Sequence, residues 1–252
     1  MKNIIFLLLV FQFSMAQINH KKLVWQEDFN GKNLNSEIWK FELGDGCPNL
    51  CGWGNNESQI YTDTNHVLKN GKLVIQPKLE NGVYTSTKII TKNKKDFKYG
   101  YFEVRAKLPI GNGIWPAVWM LGSNISEIGW PKCGEIDILE YVGREPNVIF
   151  TSLHTQDSFG NTLNTKKTKI QNIEKGFHTY GMDWTPEKIS FFVDNINVYT
   201  FTPELKNADT WPFDKPFYFI INLAIGGNFG GSIIDSNIIS QKFEIDYIKV
   251  YQ

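Results

Sequence analysis

The sequence predicts an all-β fold, two antiparallel sheets packed as a sandwich, and three observations carry that expectation. Short runs rich in Val, Ile, Thr, Tyr, Phe and Trp recur along the chain, separated by clusters of Gly, Asn, Asp and Pro. Several runs alternate apolar and polar residues, the mark of a strand with one face in a core. No long amphipathic helical stretch competes with them. No internal repeat, low-complexity run or linker divides the chain, so a single domain is expected over residues 17–252.

The first sixteen residues stand apart. A charged start at Lys2, an apolar run over Ile4–Phe13 and the small-residue signal Ser14-Met15-Ala16 read as a secretory signal peptide, residues 1–16, too short to span a membrane. No cysteine follows the apolar run, so no lipid anchor is expected. The mature chain should be exported, secreted or periplasmic, and held neither in nor on a membrane. Taking 16 residues from 252 leaves about 236, ordinary for one all-β sandwich. The full chain has 26 basic and 26 acidic residues, and losing Lys2 leaves a net charge near −1. That balance argues against nucleic acid as a partner and suits a neutral polymer; a monomer is expected. Of the three cysteines, export permits a Cys47–Cys51 disulfide. Cys133 is then the odd thiol, read as a buried structural cysteine.

Taken in order, Leu23–Phe29 opens the domain and ends at an Asn30-Gly31 turn signal. Gly44–Asn56 is a loop, and Leu73–Pro77 and Thr87–Thr91 are strands. Lys92–Lys98 reads as a solvated basic tip that keeps a sheet edge from pairing, and Lys166–Lys169 as a second basic tip. Tyr99–Leu108 alternates strictly, with Phe102, Val104, Ala106 and Leu108 facing a core and Tyr101, Glu103, Arg105 and Lys107 facing out. Trp115 and Trp119 share parity, with regular pairing expected only after Pro116. Ser152–Thr155 reads as a strand beside the acidic segment that precedes it. His178 is assigned to the core or to a structural hydrogen bond. Ile189–Val193 and Ile196–Phe201 form a hairpin around Asp194-Asn195. Phe217–Ile225 is an almost wholly apolar strand in which the Asn222 amide must find partners. Gly226–Gly231 is glycine-rich but lacks the strand-to-helix setting of a phosphate cradle. Phe243–Tyr251 closes the chain as an alternating strand.

The segment Glu135-Ile136-Asp137-Ile138-Leu139-Glu140 is the chemically loaded one. On a helix its three acids would lie near about 0°, 200° and 140°, scattering Glu135 from the other two. On a regular strand Glu135 and Asp137 share a face and Glu140 takes the other. One extra residue in a bulge around Ile138-Leu139 returns Glu140 to the shared face. Two carboxyl groups roughly 5–5.5 Å apart are the apparatus of a retaining glycosidase, and a third between them keeps a neighbour protonated. A Ca²⁺ site or a solvated edge strand fits the spacing equally well, so the flanks must decide.

Those flanks are Trp115-Pro116-Ala117-Val118-Trp119-Met120-Leu121 and Trp130-Pro131-Lys132-Cys133-Gly134, leading into Glu135–Glu140. From about Leu23 to Gln252 the chain resembles glycoside hydrolase family 16, and within it the laminarinases, endo-β-1,3-glucanases. The resemblance implies a β-jelly-roll of two curved antiparallel sheets, concanavalin A-like, with an open cleft for a β-glucan. It implies catalysis without a cofactor by Glu135 as nucleophile, Glu140 as general acid/base and Asp137 between them. It further implies substrate contacts from Asn56, Arg105 (with Glu103 supporting it), Trp115, Trp119, Trp130, His154 and Asn222. The three tryptophans are expected to wall the glycone side and His154 to lie on the aglycone side. A structural Ca²⁺ is implied at Glu27, the Gly71 carbonyl and Asp246, oxygen ligands that suit it. An agarase or carrageenase on the same scaffold, or a glucan-recognition protein without catalysis, are the competing readings. Retention of all three acids argues against the last.

Overall fold

The computed structural model describes residues 21–252; the expected signal peptide lies outside them. Two eight-stranded sheets, almost entirely antiparallel, make a jelly-roll sandwich. One carries the acids. Its order is Thr165–Lys169, Val148–His154, Glu135–Tyr141, Ile114–Gly122, Phe217–Ile225, Lys88–Ile90 and Lys40–Phe41, with Asp96–Phe97 also paired to Phe217–Ile225. The opposite sheet runs Ile196–Phe201, Ile189–Val193, His178–Trp184, Gly100–Lys107, Phe243–Tyr251, Leu73–Ile75 and His66–Leu68. Leu23–Glu27 lies against Phe243–Tyr251. A small third sheet pairs Gln59–Tyr61 in parallel with Val83–Ser86, which also pairs with Lys78–Glu80. No helix among the described residues is long and apolar enough to cross a membrane.

The core fills the space between the two large sheets, and alternation decides who enters it. Phe102, Val104 and Ala106 from one sheet meet Ile136, Phe219, Ile221 and Leu223 from the other. Phe217–Ile225 is buried along its whole length because it is the central strand, flanked on both sides and covered on both faces. The Ile189–Val193/Ile196–Phe201 hairpin and the closing strand Phe243–Tyr251 form where the pattern places them. Cys47 and Cys51 are joined, and Cys133 is free and buried. His178 bonds Asp194 and the Lys175 carbonyl, a structural role.

Two basic segments depart from expectation. Thr165–Lys169 is no loop tip but the edge strand of the acid-bearing sheet, paired with Val148–Ser152. It carries no large apolar residue, as suits an edge that must not recruit another strand. Within Lys92–Lys98, Asp96 and Phe97 do pair, with Tyr218 and Phe217. Phe97 packs its ring among Trp25, Phe102 and Phe219, and that burial draws the segment into the sheet.

Candidate active site

The bulge in Glu135–Tyr141 assembles the site. Glu135, Asp137 and Glu140 pair with His154, Ser152 and Phe150, so three steps along the acid strand match two on its neighbour. The same slip appears on the other side, where Trp119 faces Asp137 and Val118 faces Leu139. Ile136, Ile138 and Leu139 are each at most 1% exposed and belong to the main core. The extra residue is therefore taken up on the core side, and all three acids emerge on the opposite face. Burying those apolar side chains stabilises the strand by about 1.5–3 kcal/mol each, offsetting the cost of desolvating the carboxyls beside them.

Burial dominates the acids' electrostatics. Burial first, joined at both glutamates by the charge of Asp137, pushes the Glu135, Asp137 and Glu140 carboxyls up to about 8. Three adjacent carboxylates cannot all ionise in such a place, so near neutrality the group shares protons. Two indoles bias the sharing. Trp130 Nε1 donates to Glu135 Oε2 at 2.8 Å and Trp115 Nε1 donates to Glu140 Oε1 at 3.0 Å, each favouring an ionised outer acid. Asp137, 3% exposed, has no such donor, and its Oδ2 lacks a hydrogen-bond partner. His154 Nε2 lies 3.2 Å from Asp137 Oδ2 and 3.5 Å from Glu135 Oε1.

Sheet order arranges the flanks. Asn222, Ala117, Glu140 and Phe150 form one cross-strand row, with Lys88 opposite Asn222 and Lys167 opposite Phe150. Trp115, Trp119 and Asn222 thus sit on one side of the acid strand and His154 on the other. Trp119 Nε1 donates to Asn222 Oδ1 at 2.7 Å, and Asn222 Nδ2 donates to the Tyr61 hydroxyl at 3.0 Å. The amide's demand for partners is met within the protein. Asn56 is exposed on the rim and donates to Asn228 Oδ1 at 2.8 Å, which ties its loop to the glycine-rich one.

Two expectations need correction. The tryptophans do not share one wall. Trp130 is 44% exposed and set edge-on to Phe159, with His154 nearby, on the side away from Trp115 and Trp119. It sits in the turn before the acid strand, so strand parity does not govern it. Arg105 is not in the site. Its strand belongs to the opposite sheet, where the guanidinium pairs with Asp246 and stacks on Phe177, while Glu103 accepts from the Tyr247 hydroxyl. Its outward-facing parity is as expected, but outward there means the far surface of the sandwich.

The Glu27 carboxylate accepts from the Phe29 amide and the Trp39 indole, one donor on each oxygen, which leaves each a lone pair for a cation. Gly71 (φ 66°) packs so tightly against the Asn30 side-chain oxygen that a Cβ would come within 2.8 Å of it. The oxygen donors that fit a cation there are the Glu27 carboxylate, Asp246 once freed from Arg105, and backbone carbonyls.

Sequence reasoning missed a polar network beside Asn222. Glu57 accepts from Gln59 Nε2 at 2.6 Å and the Tyr61 hydroxyl at 3.0 Å, and burial raises its carboxyl above the usual range. Lys88, 7% exposed, holds Glu42 at 2.8 Å, and its ammonium lies 4.0 Å from the Trp53 ring centroid. One signal was present. In Gln59-Ile60-Tyr61 the isoleucine faces solvent and the glutamine is buried, an inverted alternation that marks a strand serving polar neighbours.

The family model of glycosyl hydrolases family 16 matches residues 51–249. The chain belongs to that family. The laminarinase of Flavobacterium sp. UMI-01, a solved structure, is 67% identical with a TM-score of 0.90, covering 92% of this chain and 100% of that one. A beta-glucanase of Rhodothermus marinus is 37% identical over 251 residues, covering 92% of this chain and 86% of that protein. A glucan endo-1,3-beta-glucosidase of Cryptopygus antarcticus is 38% identical over 252 residues, covering 90% of each. Membership gives a glycoside hydrolase that acts on polysaccharide and needs no cofactor for its chemistry.

Proposed function

We propose that the chain is an endo-acting, retaining β-1,3-glucanase of the laminarinase type, tolerant of mixed β-1,3/1,4 linkages. One observation carries the mechanism: the bulge sets three acids in a row, each outer one gripped by its own indole. Glu140 protonates the glycosidic oxygen while Glu135 attacks the anomeric carbon. A glycosyl-enzyme forms, and Glu140 then takes a proton from water, which releases the sugar with configuration retained. Asp137 hydrogen-bonds Glu135 and tunes the proton sharing of the two outer acids through its charge, and His154 favours the anionic form of Glu135. Trp115 and Trp119 offer rigid apolar surface to the C–H faces of sugar rings. Asn56 and Asn222 lie along the same flank, and His154 takes the other side of the scissile bond.

The protein works as an exported monomer, secreted or periplasmic, free of the membrane. A structural calcium ion belongs to the proposal through Glu27, the Gly71 carbonyl and Asp246, with Arg105 displaced from Asp246. A sulfated galactan as substrate is weakened by Lys167, the lysine nearest the acid row on the edge strand. Its ammonium is already held by Glu145 at 3.0 Å.

Digestion of laminarin, barley mixed-linkage glucan, agarose and carrageenan, with product sizes read by chromatography, tests the reading. A ladder of short glucose oligomers from laminarin is expected. Products from agarose or carrageenan alone would overturn the substrate, and no products with laminarin still bound would overturn the enzyme.

A further inference from the structure

The geometry points to a second use of the acid row: Glu135, Asp137 and His154 form a site for a borderline-soft divalent metal ion, zinc above all. An ion held there blocks the proposed nucleophile reversibly.

Their donor atoms lie within 4.8 Å of one another, the group of metal-binding compactness among the described residues. A zinc ion with bonds of about 2.0–2.1 Å to nitrogen and oxygen sets tetrahedral ligands about 3.3 Å apart. His154 Nε2 stands 3.2 Å from Asp137 Oδ2 and 3.5 Å from Glu135 Oε1, two of the three edges that a face of such a tetrahedron needs, and the third is no longer than 4.8 Å.

The free valences agree. Glu135 gives its Oε2 to Trp130, which leaves Oε1, the atom beside His154, without a donor. Asp137 Oδ2 is buried without a hydrogen-bond partner although the imidazole nitrogen is in contact with it. Nitrogen and oxygen are therefore close but misaligned for a hydrogen bond, as when both point at a third centre. The side chains of Glu135 and His154 are only 16% and 12% exposed, so an ion there is largely shielded while the fourth position stays open to water or sugar.

The donor set also selects. An imidazole with two carboxylates suits zinc, copper or nickel, whereas calcium prefers six to eight oxygens. His154 Nδ1 has no acceptor to orient the ring, so the affinity rests on three ligands and falls below that of a structural zinc site. Binding here goes beyond the proposed hydrolysis and does not depend on turnover.

The test is calorimetric titration of zinc chloride into the purified wild-type chain, with and without a laminari-oligosaccharide. One ion per chain is expected, weakened by the sugar. His154→Gln should bind at least tenfold more weakly, a direct ligand counting for no less than the 10–100-fold of an orienting neighbour. Calcium chloride should give no signal that the sugar suppresses. Crystals of the wild type soaked in zinc should show an anomalous peak between the three donor atoms, a readout independent of any variant's folding. No zinc binding, equal binding by His154→Gln, or a peak elsewhere would overturn the proposal, whatever the substrate panel gives.

Discussion

Replacing Trp115 by Phe removes one hydrogen bond and little volume, and its consequence is readable in the pH profile. Trp115 Nε1 donates to Glu140 Oε1 at 3.0 Å and favours the ionised carboxylate. A hydrogen bond to a charged group is worth about 1.5–3 kcal/mol, and one pKa unit is about 1.4 kcal/mol. Removing the donor raises the Glu140 carboxyl by about one to two units. Glu140 must be protonated to act as the acid, so the alkaline limb of kcat/KM moves upward by that amount. Trp130→Phe acts at the other end of the row. It withdraws a donor from Glu135, which must be ionised to attack, so the acidic limb moves upward instead. That shift is smaller because Trp130 is solvent-exposed. The assay is kcat/KM on laminari-oligosaccharides from pH 4 to 10, with circular dichroism to confirm that both variants are folded. Trp115→Phe moving only the acidic limb, or neither, would refute the role given to Glu140.

Further outcomes follow from the same geometry. The three acids hold protons in the fold that they release when unfolded, so they take stability away as pH rises from about 4.5 towards 8. Glu140→Gln should therefore melt a few degrees higher than wild type at pH 8 and show little difference at pH 4. Tyr61→Phe removes the hydroxyl between Glu57 and Asn222; it should cost about 1–3 kcal/mol in a urea melt and raise KM by loosening Asn222 and Trp119. Arg105→Ala should leave kcat/KM within twofold of wild type, since its strand lies in the sheet opposite the acids, and loss of its half-buried pair with Asp246 should cost about 1 kcal/mol of stability. If calcium sits near Asp246, chelation should lower the melting temperature of the wild type, and Arg105→Ala should bind calcium more tightly; an unchanged melt removes the ion.

Much of the site was legible because it depends on local rules. The acid strand had to bulge, since only one extra residue puts Glu140 with Glu135 and Asp137 while Ile136, Ile138 and Leu139 stay in the core. Phe217–Ile225 was legible from an apolar run interrupted only by Asn222. What failed was long-range. Alternation sorted Arg105 to the outside of its strand, but parity does not say which sheet the strand joins. Trp130 was grouped with Trp115 and Trp119 by the family resemblance, whereas the turn before Gly134 places it beside Glu135 and Phe159. Lys88 and Glu57 themselves gave no sign, the inverted alternation of Gln59-Ile60-Tyr61 being the one trace of their network, because their burial rests on Glu42, Trp53 and Tyr61, brought together by the fold.

The central claim is that Glu135 attacks sugar carbon and carries it covalently. The most direct measurement is the mass of the chain after exposure to a 2-deoxy-2-fluoro laminaribioside with a good leaving group, followed by peptide mapping. A mass gain of one fluorinated disaccharide on the peptide holding Glu135, at that residue, is the predicted result. Label on Asp137 or Glu140, or unlabelled protein that turns the compound over, would contradict it.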